Sequence, residues 1–546
     1  MEPQPTTSAE RVSARVSELV EIFSAPDADP AWLMCDRHPG ESVAFTFFEP
    51  DGSTVDLSFG ELRERSQRFA GLLTELGVGR GDRVATLMGK SADLLTVLLG
   101  IWRTGAVYVP LFTAFATDGV SSRLSGAQAK VVVADADQAA KVPDGPWAVL
   151  VSGGGSEVRE DRRLGDRLAA VKPFEASTPI GGDGAFVHMF TSGTTGAPKG
   201  VVHPLRYVAG WQSYLEFALG VREESVFWCA ADPGWAYGLY TAVVAPMVLG
   251  LRSVLQRGGF DVTATWRALA DLGVTDYAAA PTVYRALRSG DVPVPAGLSL
   301  RRLSSAGEPL TAEVNEWAVP ALGLQVHDHY GQTELGMAIG FPHHPDLEVP
   351  VIPQTTGKAL PGWSVTVLRE DGGIEAEAGE PGLLAIDVST SPFMTFAGYV
   401  GREATDRFTA DGRHYLSGDL AVRNADGTLR FSSRDDDVII MAGYRIGPFD
   451  VESVLAQHAA VAECAVVAAP DPVRGEVIEA FVVLRTGAEE SDELVAELQN
   501  HVRERYAAHA YPRRVHIVTS LPKTASGKIQ RAKLRKDLRE AAGTTP

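Results

Sequence analysis

The chain of 546 residues is too long for one ordinary domain, and its 45% hydrophobic content is enough for more than one core. A net charge of −19 and a pI of about 5.1 argue against a surface that tracks nucleic-acid phosphates, so no nucleic-acid partner is expected. Cys35, Cys229 and Cys464 lie far apart, which suggests neither a disulfide framework nor a Cys-rich zinc site and fits a reducing, cytoplasmic setting.

The opening segment, MEPQPTTSAERVSARVSELVEIF, is polar where a signal peptide needs an apolar core, and no apolar run reaches the ~18 residues of a membrane span. No membrane partner is expected. Residues 1 to about 10 and Ala541 to Pro546 read as frayed tails. Helical and strand patterns then alternate for about four hundred residues, the signature of an α/β architecture with largely parallel sheets. The spacing predicts a helix over Leu62 to Leu76 closed by Gly77, a strand over Asp82 to Met88, a helix over Ala92 to Trp102 and a strand over Ala106 to Pro110. Beyond about residue 360, short strands separated by Asp371-Gly372, Asp411-Gly412 and Asp426-Gly427 predict a β-rich subdomain. After Arg434 a compact α/β segment closes the chain.

Phe190 to His203, FTSGTTGAPKGVVH, carries the densest chemistry. It follows a predicted buried strand, Ala185 to Phe190, and its glycines at 193, 196 and 200 allow backbone N–H groups to turn inward. Thr191, Ser192, Thr194 and Thr195 add hydroxyls and Lys199 adds charge, a set suited to a polyphosphate. Pro198 stands where a Walker A loop has glycine, which disfavours a P-loop NTPase. The same composition also describes a flexible linker.

A second constellation joins SSAGEPL, Ser304 to Leu310, with HDHYGQTELGM, His327 to Met337. Glu334 is suited to Mg2+, Thr333 to a phosphate and Tyr330 to stacking on a planar base; an ordinary polar loop is the alternative. Asp419 in YLSGDLA is suited to paired ribose hydroxyls, or to a simple turn. In RDDDVIIMAGYRIGP, Arg434 to Pro448, three adjacent carboxylates are ordinarily a solvated loop, and Lys528 in PKTASGK is ordinarily a solvated charge.

Taken in order, FTSGTTGAPKG, SAGEP, YGQTE, YLSGD, RDDD to GYRIGP, and PKTASGK resemble the adenylate-forming superfamily of acyl-CoA synthetases, adenylation domains and luciferases. GYRIGPFDVES and DPVRGEVIEAFVVL look most like medium-chain acyl-CoA synthetases. The resemblance implies a large N-terminal domain over 1–435, with parallel-rich sheets flanked by helices and a β-rich subdomain. A small mobile α/β domain over 436–546 follows, hinged near Asp436. It implies ATP, Mg2+ and coenzyme A as reaction partners, and formation of acyl-AMP and then acyl-CoA.

By the same resemblance, Thr191 to Gly196 with Lys199 grip phosphates. Gly307, Glu308 and Pro309 line the adenine pocket with Asp328, His329, Tyr330, Gly331 and Gln332. Thr333 and Glu334 serve phosphate and metal, Asp419 and Arg434 hold the ribose, and Arg445 lies in the nucleotide-binding turn. Lys528 bridges the acyl carboxylate and the α-phosphate. Rotation about Asp436 is expected to withdraw Lys528 and bring Ala442, Gly443 and Tyr444 to the pantetheine, with Arg474 either on a coenzyme A phosphate or merely a surface cation.

Acetyl-CoA synthetases carry Trp immediately before the Gln-Thr-Glu run, where this chain has Gly331. The glycine is expected to open the acyl pocket unless another side chain refills it. Trp235, Ala236, Tyr237 and Met337 are the other expected walls, Trp235 and Tyr237 being plain core aromatics in the alternative. A medium-chain, branched or ring-bearing acid follows, handled by a monomer or homodimer. A ligase that loads a carrier protein, and a non-catalytic nucleotide-binding paralogue, are the rival functions.

Overall fold

The computed structural model describes residues 7–155, 158–191, 198–290, 292–369, 373–401, 407–434, 437–441, 444–471, 475–507, 510–524 and 528–541. Among them the strands form four sheets. One runs in spatial order Ala148–Ser152, Ala129–Asp135, Arg83–Leu87, Val107–Pro110, Ala185–Thr191 and Lys199–Pro204, parallel except for its last pair. A larger sheet runs Lys358–Ala359, Gly336–Gly340, Val326–Gln332, Arg302–Ala306, Asp276–Ala279, Phe227–Cys229, Ser253–Gln256, Val43–Phe48 and Thr54–Ser58. Its interior is parallel and its two ends antiparallel. Their parallel strands are near-continuously apolar, as strands covered on both faces must be.

The expected β-rich part is an antiparallel sheet of Val365–Leu368, Pro381–Asp387, His414–Arg423 and Leu429–Arg434. Two of its Asp-Gly turns work as the sequence predicts: Gly412 and Gly427 take φ +70° and +84°, and the Asp426 carboxylate accepts the Thr428 N–H at 2.9 Å; Asp371-Gly372 lies outside the described residues. The C-terminal sheet orders Tyr444–Ile446, Ile439–Met441, Gly475–Leu484 and Val461–Asp471, with Arg514–Ile517 added parallel to Gly475–Leu484.

Two helix starts differ from the sequence reading, for the same reason. The first helix begins at Ser8, inside the expected frayed tail, because Thr7 and Glu10 form a capping box that satisfies the free N–H groups. Its Val12, Val16, Leu19 and Phe23 stripe is buried, and Arg11 and Arg15 pair at 2.7 Å with Asp346 and Glu216. The helix predicted from Leu62 begins at Phe59, where Ser58 and Glu61 form a second capping box.

The acidic run after Arg434 is also not wholly solvated. Asp437 accepts Arg535 Nη1 at 2.5 Å, and Arg531 forks onto the buried Glu452 carboxylate at 2.7 and 2.8 Å. These pairs pin the helix Arg531–Ala541 to Asp437 and to Glu452 of helix Pro448–Leu455. Asp450, at the start of helix Pro448–Leu455, accepts Arg430 at 2.6 Å and Ser432 at 2.9 Å, so strand Leu429–Arg434 and the C-terminal body are joined directly. All three cysteines are buried and free, their thiols pushed up by burial, to about 12 for Cys35 and Cys229. No helix among the described residues is long and apolar enough to cross a membrane.

Candidate active site

Strands Ala185–Thr191 and Lys199–Pro204 pair antiparallel, with Thr191 opposite Lys199 and Phe190 opposite Gly200. Ser192, Gly193, Thr194, Thr195 and Gly196 lie outside the described residues. The hairpin presents Lys199 over the ring of Tyr399, with Nζ 4.8 Å from its centroid. The Tyr399 hydroxyl in turn donates to Glu334 Oε1 at 2.7 Å, and Val400 N–H binds Gly200 O at 2.9 Å. Lysine, phenol and buried carboxylate therefore meet, although they come from three distant stretches of chain. Tyr399 had no distinguishing signal in the sequence.

His203 closes this corner from below. Its Nε2 lies 2.7 Å from Thr333 O, which also accepts the Tyr207 hydroxyl at 2.9 Å. A carbonyl can only accept, so Nε2 carries the proton and Nδ1 accepts the Tyr240 hydroxyl at 2.9 Å. Burial lowers the His203 pKa to about 3, which keeps the ring neutral. The Gln-Thr-Glu turn is thus bolted to the second strand of the phosphate-loop hairpin.

Asp419 is the hub of the second half. Strand pairing sets it opposite Arg434, and its Oδ2 accepts Tyr330 Oη and, at 2.7 Å, Gln332 Nε2. Gln332 also reaches Ser417 O at 3.0 Å and accepts Tyr415 Oη at 3.0 Å. Burial raises the Asp419 pKa; the Tyr330 hydrogen bond, the Arg434 charge, the Gln332 hydrogen bond and the Lys528 charge oppose it. The Lys528 charge is therefore felt at this carboxylate. The Lys528 backbone is tied to Thr524: Lys528 N–H binds Thr524 Oγ1 at 3.1 Å and Thr524 N–H binds Lys528 O at 2.7 Å.

Gly307 takes φ +96° at the end of strand Arg302–Ala306, and a Cβ built there meets nothing within 4 Å. The backbone is bare there, which suits a flat base lying against it. Glu308 turns away into a structural cluster, accepting Thr282 at 2.8 Å and Arg285 at 2.9 Å. Asp328 is buried with Oδ1 unpartnered among the described residues, beside a cavity of about 270 Å³ that Leu310, Asn315 and Ile352 help to line. Burial drives its pKa to about 8, against hydrogen bonds from Thr356 and from the Leu310 and His329 backbone.

The acyl-side residues correct one inference. A Cβ on Gly331 would lie 2.1 Å from Gly336 O and 2.6 Å from Met337 Sδ, so the glycine leaves no open space. The antiparallel hairpin of Val326–Gln332 with Gly336–Gly340 passes too close there for any side chain. Met337, buried, is the side chain that lies against Gly331. Trp235 packs against Phe112 and Phe115 at ring distances of 5.5 and 5.8 Å, ahead of a helical turn holding buried Ala236. Tyr237 is partly buried, with its hydroxyl 3.1 Å from that of Tyr214. Ala442, Gly443, Arg474 and Asp436 lie outside the described residues, as do the side chains of Tyr444 and Arg445.

Residues 33–400 match the family model described as AMP-binding enzyme, and residues 450–528 match the AMP-binding enzyme C-terminal domain. The chain belongs to the AMP-binding enzymes, as an acyl-CoA synthetase. Its relatives agree with that membership. It is 35% identical over 488 residues to an acetyl-coenzyme A synthetase of Bacillus subtilis, covering 88% of this chain and 84% of the other. It is 33% identical over 539 residues to a mitochondrial acyl-coenzyme A synthetase of Rattus norvegicus (ACSM3), covering 95% and 91%. The crystal structure of a Brucella canis acyl-CoA synthetase superposes with a TM-score of 0.74 at 40% identity, covering 98% of this chain and 99% of that one. The synthetase therefore activates a carboxylic acid with ATP to acyl-AMP and passes the acyl group to coenzyme A.

Among the described residues no group of three or more His, Cys, Asp or Glu side chains forms a cage for a metal ion. A lone buried carboxylate, Glu334, with one oxygen bound by Tyr399, instead fits Mg2+, which takes one or two protein carboxylates and draws its other ligands from substrate phosphates and water.

Proposed function

We propose that the synthetase acts on a medium-chain, branched or ring-bearing acid, and that the residues around Asp419 hold the adenylate while Lys528 serves the first half-reaction. The observation that carries this is the convergence on one buried carboxylate of Tyr330, Gln332, Arg434 and the Lys528 charge. In that arrangement Asp419 accepts the ribose hydroxyls, and the Tyr330 hydrogen bond and the Arg434 charge favour its carboxylate against burial. Gly307 lets the adenine lie on bare backbone beside Tyr330.

Adenylation asks little covalent chemistry of the protein. A carboxylate oxygen forms a bond to the α-phosphorus while the bond from that phosphorus to the pyrophosphate oxygen breaks. Catalysis consists of alignment and of charge already in place. Lys528 neutralises the acyl carboxylate and the α-phosphate, and Lys199, with the Thr191 to Gly196 loop, neutralises the departing pyrophosphate. Mg2+ held at Glu334 supplies further positive charge on the phosphates. Thr333 donates its hydroxyl to phosphate, its backbone fixed by His203 and Tyr207.

In the second half-reaction the coenzyme A thiol attacks the acyl carbonyl, the thioester forms, and AMP leaves with the electron pair of the broken acyl–oxygen bond. Rotation near Asp436 withdraws Lys528 and brings Ala442, Gly443 and Tyr444 to the pantetheine, with Arg474 on a phosphate of the coenzyme. For the acyl group, support for an acid larger than acetate comes from the wall beside Gln332. It is built of a flexible methionine and a backbone carbonyl instead of a rigid side chain.

A screen of pyrophosphate release over carboxylic acids, with ATP and either free coenzyme A or a phosphopantetheinyl carrier protein, tests both acid and acceptor. A best substrate of two carbons, or turnover with the carrier alone, contradicts the proposal.

A further inference from the structure

A chain of hydrogen bonds behind the acyl pocket has a fixed direction. Phe341 O accepts His329 Nε2 at 3.0 Å, and because a carbonyl only accepts, the proton of this neutral ring sits on Nε2. Burial lowers the His329 pKa to about 3, so no second proton is present near neutral pH. Nδ1 must then accept, and its partner at 2.9 Å is the Tyr214 hydroxyl, whose single proton is thereby committed. The contact of 3.1 Å between the Tyr214 and Tyr237 hydroxyls can only be made by the Tyr237 proton. Tyr237 Oη is left with lone pairs and no proton to offer.

The chain ends at its least covered side chain. His329 and Tyr214 are each 2% exposed, whereas Tyr237 is only partly buried and follows Trp235 by two residues. Trp211 links this spot to the hairpin wall: its ring lies 6.3 Å from that of Tyr237, and its Nε1 is 3.4 Å from where a Cβ on Gly336 would stand. Resting on the acyl-pocket reading above, we infer that the preferred acid carries a hydrogen-bond donor, a hydroxyl or amino group on its ring or chain, which Tyr237 Oη accepts. An acid with only an ether oxygen at that position sets two acceptors against each other, and an unsubstituted acid leaves that acceptor without a donor.

The test uses the full-length enzyme and acid-dependent exchange of pyrophosphate into ATP. Matched trios are compared: a parent acid, its hydroxyl or amino derivative, and the methyl ether of the hydroxyl derivative, with the substituent moved along the ring or chain. At one position the donor-bearing acid should exceed both partners about tenfold or more in kcat/KM. Tyr237→Phe should bring that ratio close to one. Tyr214→Phe, which frees the Tyr237 proton, should raise the ether relative to the parent. Exchange in which the parent or the ether equals the donor at every position overturns the inference and leaves the acyl-adenylation reading intact. No exchange with any carboxylic acid overturns that reading and the inference with it.

Discussion

Replacing Gly331 by alanine separates two accounts of the residue before Gln332. If the glycine simply opens the pocket, a methyl group there shortens it and shifts preference toward small acids. The structure gives a different expectation. The added Cβ lies 2.1 Å from Gly336 O and 2.6 Å from Met337 Sδ, against 3.4–4 Å for ordinary contact. Met337 can rotate, but the carbonyl belongs to the ladder in which Gly331 pairs with Met337 and Gln332 with Gly336. The hairpin must part, at a cost of about 1–3 kcal/mol for overpacking of this kind.

Parting it moves Gln332 off Asp419 and strains the Thr333 carbonyl held by His203 and Tyr207. Loss of one hydrogen bond to a charged group costs about 1.5–3 kcal/mol, or about 10- to 150-fold in kcat/KM. The loss should be uniform over straight-chain acids of graded length in the pyrophosphate-exchange assay, with a lower urea midpoint. A Gly331→Ala enzyme as stable as the parent that loses long acids and gains acetate would refute this reasoning.

Lys528→Ala should abolish acid-dependent pyrophosphate exchange, by on the order of hundreds-fold, yet spare thioester formation from supplied acyl-AMP; equal loss of both contradicts its role. Burial holds His188, His203 and His329 neutral with pKa values lowered to about 4, 3 and 3, below the 6.5 of the unfolded chain. Their contribution is therefore complete above about pH 6.5 and is lost as the pH falls from there toward 3, at about 1 kcal/mol per residue by pH ~5.5. Urea midpoints across that window should fall steeply, and a flat profile would argue that these rings are charged or exposed. Arg531→Met leaves Glu452 buried without its cation and should destabilise the C-terminal body by about 3–5 kcal/mol. Limited proteolysis reads this as faster cleavage within residues 437–541, and unchanged cleavage would show the pair to be dispensable.

The ordered motifs carried the family, because each is a local turn whose glycines, hydroxyls and charges must stand at fixed spacing whatever surrounds them. The α/β alternation and the Asp-Gly turns were legible for a similar reason: periodicity and turn chemistry are properties of neighbours in sequence. The early helix starts were missed although both capping boxes, Thr7 with Glu10 and Ser58 with Glu61, stood in the sequence.

Other features required the folded chain. Tyr399 reaches Glu334 across 65 residues and lies under Lys199, a meeting with no spacing signature. Glu308, inside a recognisable motif, spends its carboxylate on Arg285 and Thr282, partners that its motif does not announce. Gly331 shows the division most plainly. The sequence determined that no side chain stands before Gln332, and the tertiary structure decided that the vacancy is taken by the returning strand. Likewise, the resemblance pointed to Tyr237 as an acyl-pocket wall, but only the packed arrangement of Phe341, His329, Tyr214 and Tyr237 sets which way their protons point. Hydrogen-bond direction depends on which acceptor lies at the far end of a chain of contacts, and that is fixed in space, not in sequence.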